Sequence, residues 1–123
     1  SINYKPLLDA YAGKGNLDSV KKTSEFIIND INQNQHQNYN LTLIDGTRDY
    51  KAMSFRYFLE LNELKPLSMS DYPKTDVLYV ISPYKQTNIS NHPIWEIESL
   101  KPSKVTQVWE FHKTENIYKI ERL

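Results

Sequence analysis

Cysteine is absent from the 123 residues. This removes disulfide frameworks, thiol nucleophiles and cysteine-ligated zinc, and it leaves the compartment open. Glycine is scarce, with three residues. Neither sign of charge is in excess: fifteen Lys and Arg face fifteen Asp and Glu, for a formal net charge of zero. No general polyanion-binding surface is implied, which argues against nucleic acid and anionic membrane surfaces as partners. No window approaches the roughly 18 to 20 apolar residues of a membrane span, and the opening residues lack the apolar core of a signal peptide. Direct membrane insertion by this segment is not expected, and the isolated chain is expected to be soluble.

What is present suits a folded domain. Hydrophobic residues make up 39%, aromatics 12% and charged residues 24%, values at which burial rewards ordering. The length fits a single domain spanning 1–123, with 1–17 as a lead-in segment. The chain begins at Ser1 without a methionine, so we expect it to be excised from a larger protein.

After the lead-in, Asp18 or Ser19 caps a helix on which Val20, Thr23, Ser24, Ile27, Ile28 and Ile31 share one face. The polar tract "NQNQHQN" connects it to a strand over Tyr39 to Ile44. A second helix follows "DGTRDY". Its larger apolar stripe is Tyr50, Met53, Tyr57, Leu61 and Leu64, with Phe58 at the margin. Phe55 and Leu59 fall nearly opposite, so either the domain covers both faces of this helix or this second stripe meets a partner. Arg56 and Glu60 would line a polar flank. "PLSM" is a candidate short strand, and "DVLYVIS" reads as the central strand of a parallel or mixed sheet. "IWEIESL" is a short strand or a helical turn, and "KVTQVWEFH" with "IYKIERL" forms a terminal hairpin. The fold class is therefore α/β: a compact Rossmann-like sandwich with a mixed sheet, two main helices and a C-terminal β-hairpin, its β-α-β unit right-handed.

The turn after the first strand is where an α/β protein would hold an anion. "DGTRDY" has neither the G-x-G-x-x-G spacing of a dinucleotide loop nor the lysine of a P-loop. Asp45, Thr47 and Arg48 remain candidate ligand-binding residues for a small anion or sugar, against the plainer reading of a capped strand-to-helix turn. His36, His92 and His112 show no metal-ligand spacing, so no metal is assigned. Glu96 with Glu98, or Asp45 with Asp49, read as solvated carboxylates, and the serines lack a nucleophile elbow. No catalytic residue and no cofactor are assigned. The nine tyrosines, with Trp95 and Trp109, could form a sugar-stacking face but sit where core packing is the simpler use. The sequons at Asn40 and Asn88 occur in an Asn-rich chain and carry no weight.

The runs "LIDGTRDYKAMSFRYFLELNELKPLSMSDYPKTDVLYVIS", "HPIWEIESLKPSKVTQVWEF" and "IYKIERL" together resemble the soluble C-terminal domain that follows the last membrane span of bacterial membrane glycosyltransferases. Those multi-span proteins are similar to dolichyl-phosphate-mannose protein mannosyltransferases. In that family the acidic catalytic residue and the polyprenyl-phosphate sugar donor site belong to the membrane portion, and no position here matches them. The resemblance implies a noncatalytic accessory domain at the extracytoplasmic face of the cell membrane. Its partner would be the transmembrane portion of its own parent, met through Phe55 and Leu59, with a glycan or protein acceptor as a further partner. Two other functions stay open: a small Rossmann-like enzyme that binds a nucleotide sugar or sugar phosphate, and a protein–protein interaction module.

Overall fold

A strand that is apolar at nearly every position needs cover on both faces, and Val77–Ser82 is such a strand. The computed structural model describes residues 5, 17–44, 52–111 and 115–123, and in it all six residues of this strand are buried. The described elements run α1 (Leu17–Asn34), β1 (Tyr39–Leu43), α2 (Met53–Leu61), β2 (Val77–Ser82), α3 (Trp95–Glu98), β3 (Ser103–Trp109) and β4 (Asn116–Arg122). Short 3₁₀ turns occur at Tyr72–Lys74 and Ile89–Asn91. The strands form an open mixed sheet in the order β1-β2-β4-β3. β1 pairs with β2 in parallel, and the other pairs are antiparallel. The result is a compact mixed α/β domain, with β2 inside the sheet as its composition requires.

Alternation along β2 divides the core in two. Val77, Tyr79 and Ile81 turn toward α1 and α2, where they meet Ile27, Ile31, Phe55 and Leu59. Leu78 and Val80 turn the other way, joined by Tyr118 and Ile120 of β4, onto Tyr72, Ile89, Ile97 and Leu100. One face is thus covered by the two longer helices and the other by the 3₁₀ turns and α3. "IWEIESL" resolves as a helical turn. "PLSM" is not a strand: it runs beside β1, and the N–H of Leu67 donates to the Tyr39 carbonyl at 2.9 Å. β3 and β4 pair as the expected hairpin, with a register irregularity between Val105 and Gln107.

α1 buries the face read from its periodicity, from Val20 through Ile31, and adds Asp30 to it. α2 requires a correction. Phe55 and Leu59, assigned to a partner surface, are 1% and 0% exposed in the core, whereas Leu61, assigned to the core stripe, is 60% exposed. The buried set is Ala52, Ser54, Phe55, Arg56 and Leu59, and all but Ser54 are spaced as one helical face should be. Counting apolar residues hid that face because Arg56 sits in its middle. Leu64, which enlarged the opposite stripe, lies outside the helix bounds, and Tyr50 lies outside the described residues.

Scarce glycine leaves its mark at both helix exits. α1 and α2 each close with the bond from the sixth residue back to the first that marks a Schellman turn: His36 N–H to the Ile31 carbonyl at 3.2 Å, and Leu64 N–H to the Leu59 carbonyl at 3.0 Å. The left-handed residue each turn needs is Gln35 (φ 53°) in one and Glu63 (φ 61°) in the other. A side chain there costs about 1–2 kcal/mol relative to glycine, partly offset by glycine's larger entropy in the unfolded chain. Gln35→Gly and Glu63→Gly are each expected to stabilise the domain by about 0.5–1 kcal/mol, read as a rise in the thermal midpoint of a few degrees. Lower midpoints in both variants would refute this account of the exits.

Candidate functional site

The greatest density of chemically capable side chains lies between α1 and the sheet. Asp30 falls on the apolar face of α1, between Ile27 and Ile31, and is 6% exposed. Tyr79 of β2 and Lys119 of β4 are opposite one another in the sheet register. Their side chains therefore rise on the same face and meet the Asp30 carboxylate from below. The Tyr79 hydroxyl donates to Asp30 Oδ2 at 2.6 Å, and Lys119 Nζ lies 2.8 Å from the same oxygen. Asn34, one turn on from Asp30, donates its amide N–H to Oδ1 at 3.1 Å. His36, just past the helix, places Nε2 at 3.8 Å from Oδ2, and that nitrogen is buried without a hydrogen-bond partner.

Burial raises the Tyr79 pKa, and its hydrogen bond to Asp30 and the negative charges nearby raise it further, so the phenol stays a donor. Burial also lowers the His36 pKa, with Lys119 acting in the same direction and Glu121 and Asp30 opposing. A carboxylate, an ammonium and a phenol are an inventory for proton transfer. Here each is closed off beneath α1 and engaged with the others. The chemistry they perform is cohesion: one carboxylate ties α1 to two strands.

A second buried polar group guards the free edge of β1. Arg56, 4% exposed, donates to the Leu41 carbonyl at 2.9 Å, the Leu67 carbonyl at 2.8 Å, the Tyr72 hydroxyl at 3.2 Å and Asn40 Oδ1. The Tyr72 hydroxyl in turn donates to the Leu41 carbonyl at 2.6 Å. An edge strand exposes unpaired backbone groups that invite mispairing; here a guanidinium and a phenol occupy one of them. The polar-flank reading of Arg56 is corrected accordingly. Arg122, at the end of β4, similarly donates to four carbonyls, those of Thr75, Pro73, Leu100 and Ser99, at 2.9–3.2 Å.

Asp45, Thr47 and Arg48 lie outside the described residues, as do Asp49, Tyr50 and His112. Before them in the chain, the N–H of Ile44 donates to the Ile81 carbonyl at 2.8 Å; after them, Ala52, the residue before α2, is in the left-handed region. Glu98 pairs with Lys101 at 3.0 Å. Trp95 is 49% exposed, its ring edge-to-face with Tyr72 at 5.5 Å, which departs from the core role expected of it. Open grooves occur among the described residues. One, of about 360 Å³, is lined by Lys85, Glu110, Phe111 and Asn116, and another, of about 430 Å³, by Ser90, Asn91, Lys101, Pro102 and Ser103.

Sequence reasoning missed Asp30, Lys119 and Arg56. Read alone, each looks like a solvated charge on an amphipathic element, and no local pattern assigns it to the interior. Comparison with known proteins found no matching family model, no matching curated protein and no matching solved structure.

Breaking the buried pair on one side leaves a carboxylate uncompensated. Lys119→Met is expected to cost about 3–5 kcal/mol, and Asp30→Asn combined with Lys119→Met distinctly less; urea denaturation of the single and double variants measures the difference. Arg56→Lys is expected to lose about 2 kcal/mol or more, because an ammonium cannot serve acceptors spread across a fork. Stability close to that of the parent chain would show the fork to be dispensable.

Proposed function

We propose that this chain is a noncatalytic accessory domain of a multi-span membrane glycosyltransferase that uses a polyprenyl-phosphate sugar donor. In this reading it stands at the extracytoplasmic face of the membrane and aids acceptor recognition or packs on the membrane body. The observation that carries the reading is the resemblance of the run from Leu43 through Ser82, continued by "HPIWEIESLKPSKVTQVWEF" and "IYKIERL". The structure supports its noncatalytic part: Asp30, Tyr79, Lys119, Arg56 and Arg122 all direct polar atoms to partners within the domain. Among the described residues no helix is long and apolar enough to cross a membrane, in keeping with a domain that leaves membrane anchoring to its parent. With Phe55 and Leu59 in the core, any contact with that parent falls to other apolar side chains. Phe26 is 41% exposed with its ring 4.8 Å from that of Phe111, and it is the candidate we favour.

A Rossmann-like binder of nucleotide sugars or sugar phosphates is the second reading. It is favoured by the parallel β1–β2 pair, because parallel strands present ligands at their carboxyl ends, where Asp45, Thr47 and Arg48 follow.

Antibodies raised against the domain separate these readings. The accessory-domain reading expects a membrane-fraction band far larger than the 14.5 kDa of this chain. A band of that size outside the membrane fraction overturns it. Millimolar nucleotide sugars and sugar phosphates are expected to leave the thermal midpoint unchanged. A saturable rise would support the second reading, since a ligand at a hundred times its Kd stabilises by about 2.7 kcal/mol.

A further inference from the structure

Asp30 has little capacity left for another donor. Its Oδ2 already accepts the Tyr79 hydroxyl at 2.6 Å and faces Lys119 Nζ at 2.8 Å, while Oδ1 takes the Asn34 amide. His36 is held against this group by the backbone, because the exit turn of α1 fixes its N–H on the Ile31 carbonyl. Its Nε2 stops 3.8 Å from Oδ2, beyond hydrogen-bond reach, and is buried with no partner. A neutral imidazole with its proton on Nδ1 tolerates that position, since an unused lone pair costs less than a buried N–H without an acceptor. A protonated imidazole does not. It would bring a second cation to a carboxylate that already serves Lys119, and a second N–H with nowhere to donate. The charged groups facing it are Asp30 from α1 and Lys119 and Glu121 from β4, with the Tyr79 hydroxyl of β2 on the same Asp30 oxygen.

We infer that His36 is a proton-responsive latch on the end of α1: neutral, it seals the Asp30–Lys119–Tyr79 group, and protonated, it is driven out, releasing the exit turn of α1 from the sheet. This device does not depend on either reading of the protein's function. The lowered His36 pKa agrees with it, and the sign follows. Below the ordinary value of 6.5 the unfolded chain takes up the proton first, so stability falls as pH drops through that value toward the folded midpoint.

The test follows the His36 imidazole of the intact chain by NMR from pH 8 to pH 4, alongside thermal midpoints for the parent and His36→Asn. The latch predicts a His36 titration midpoint below 6.5 and a steeper loss of thermal midpoint between pH 7 and 5 in the parent than in the variant. It further predicts that amide exchange at residues 30–36 accelerates before exchange at β2. A His36 midpoint at or above 6.5 overturns the proposal, as does an identical pH dependence in parent and variant. Should His36→Asn fail to fold, the titration of the parent and the order of amide exchange decide the matter by themselves.

Discussion

The Asp30 carboxylate is the point on which the helical layer depends. Apolar burial alone would allow α1 to slide or rotate over the sheet at modest cost, because hydrophobic contact is not directional. A buried carboxylate that must satisfy a phenol from β2, an ammonium from β4 and an amide from its own helix has one position that works. The pair is not a large net source of stability, since desolvation of the two charges offsets much of their attraction. Its effect is specificity: misplacing α1 strands a charge in the core.

The same logic recurs at the edges of the domain. Arg56 and Arg122 are long cations that donate to backbone carbonyls, one at the open side of β1 and one where β4 ends against the loops that cover the second face. The three glycines, Gly13, Gly15 and Gly46, lie outside the described residues, so the described connections contain no glycine turn. Irregular segments are instead pinned from below by side chains that reach into them. This explains how a domain whose second face is covered mostly by 3₁₀ turns and a four-residue helix keeps β2 dry on both sides.

These pins also decide what the charged residues can do. A lysine, a tyrosine and an aspartate in contact suggest acid–base chemistry, but a helix lies over all three and each is occupied by another. The half-exposed side chains, Trp95 and Phe26 among them, are where the domain meets its surroundings. The polar core is where it holds itself together. His36 stands at the boundary between the two, partly exposed and one bond short.

Read as a linear pattern, the chain determined its class and its centre. The period of α1, the unbroken apolar run of β2 and the alternation of the terminal hairpin are local signals that tertiary contacts had no reason to override. The face of α2 was not legible. Two apolar stripes competed, and the winner carried an arginine whose burial is favourable only because the edge of β1 offers it carbonyls. The candidate cluster was hidden for the same reason: Asp30 and Lys119 are 89 positions apart in the sequence numbering, and each alone looks like a solvated charge on an amphipathic element. Periodicity reports what one element wants to bury. Whether a charge can join that face depends on which partner stands opposite it, and only the tertiary structure supplies the partner.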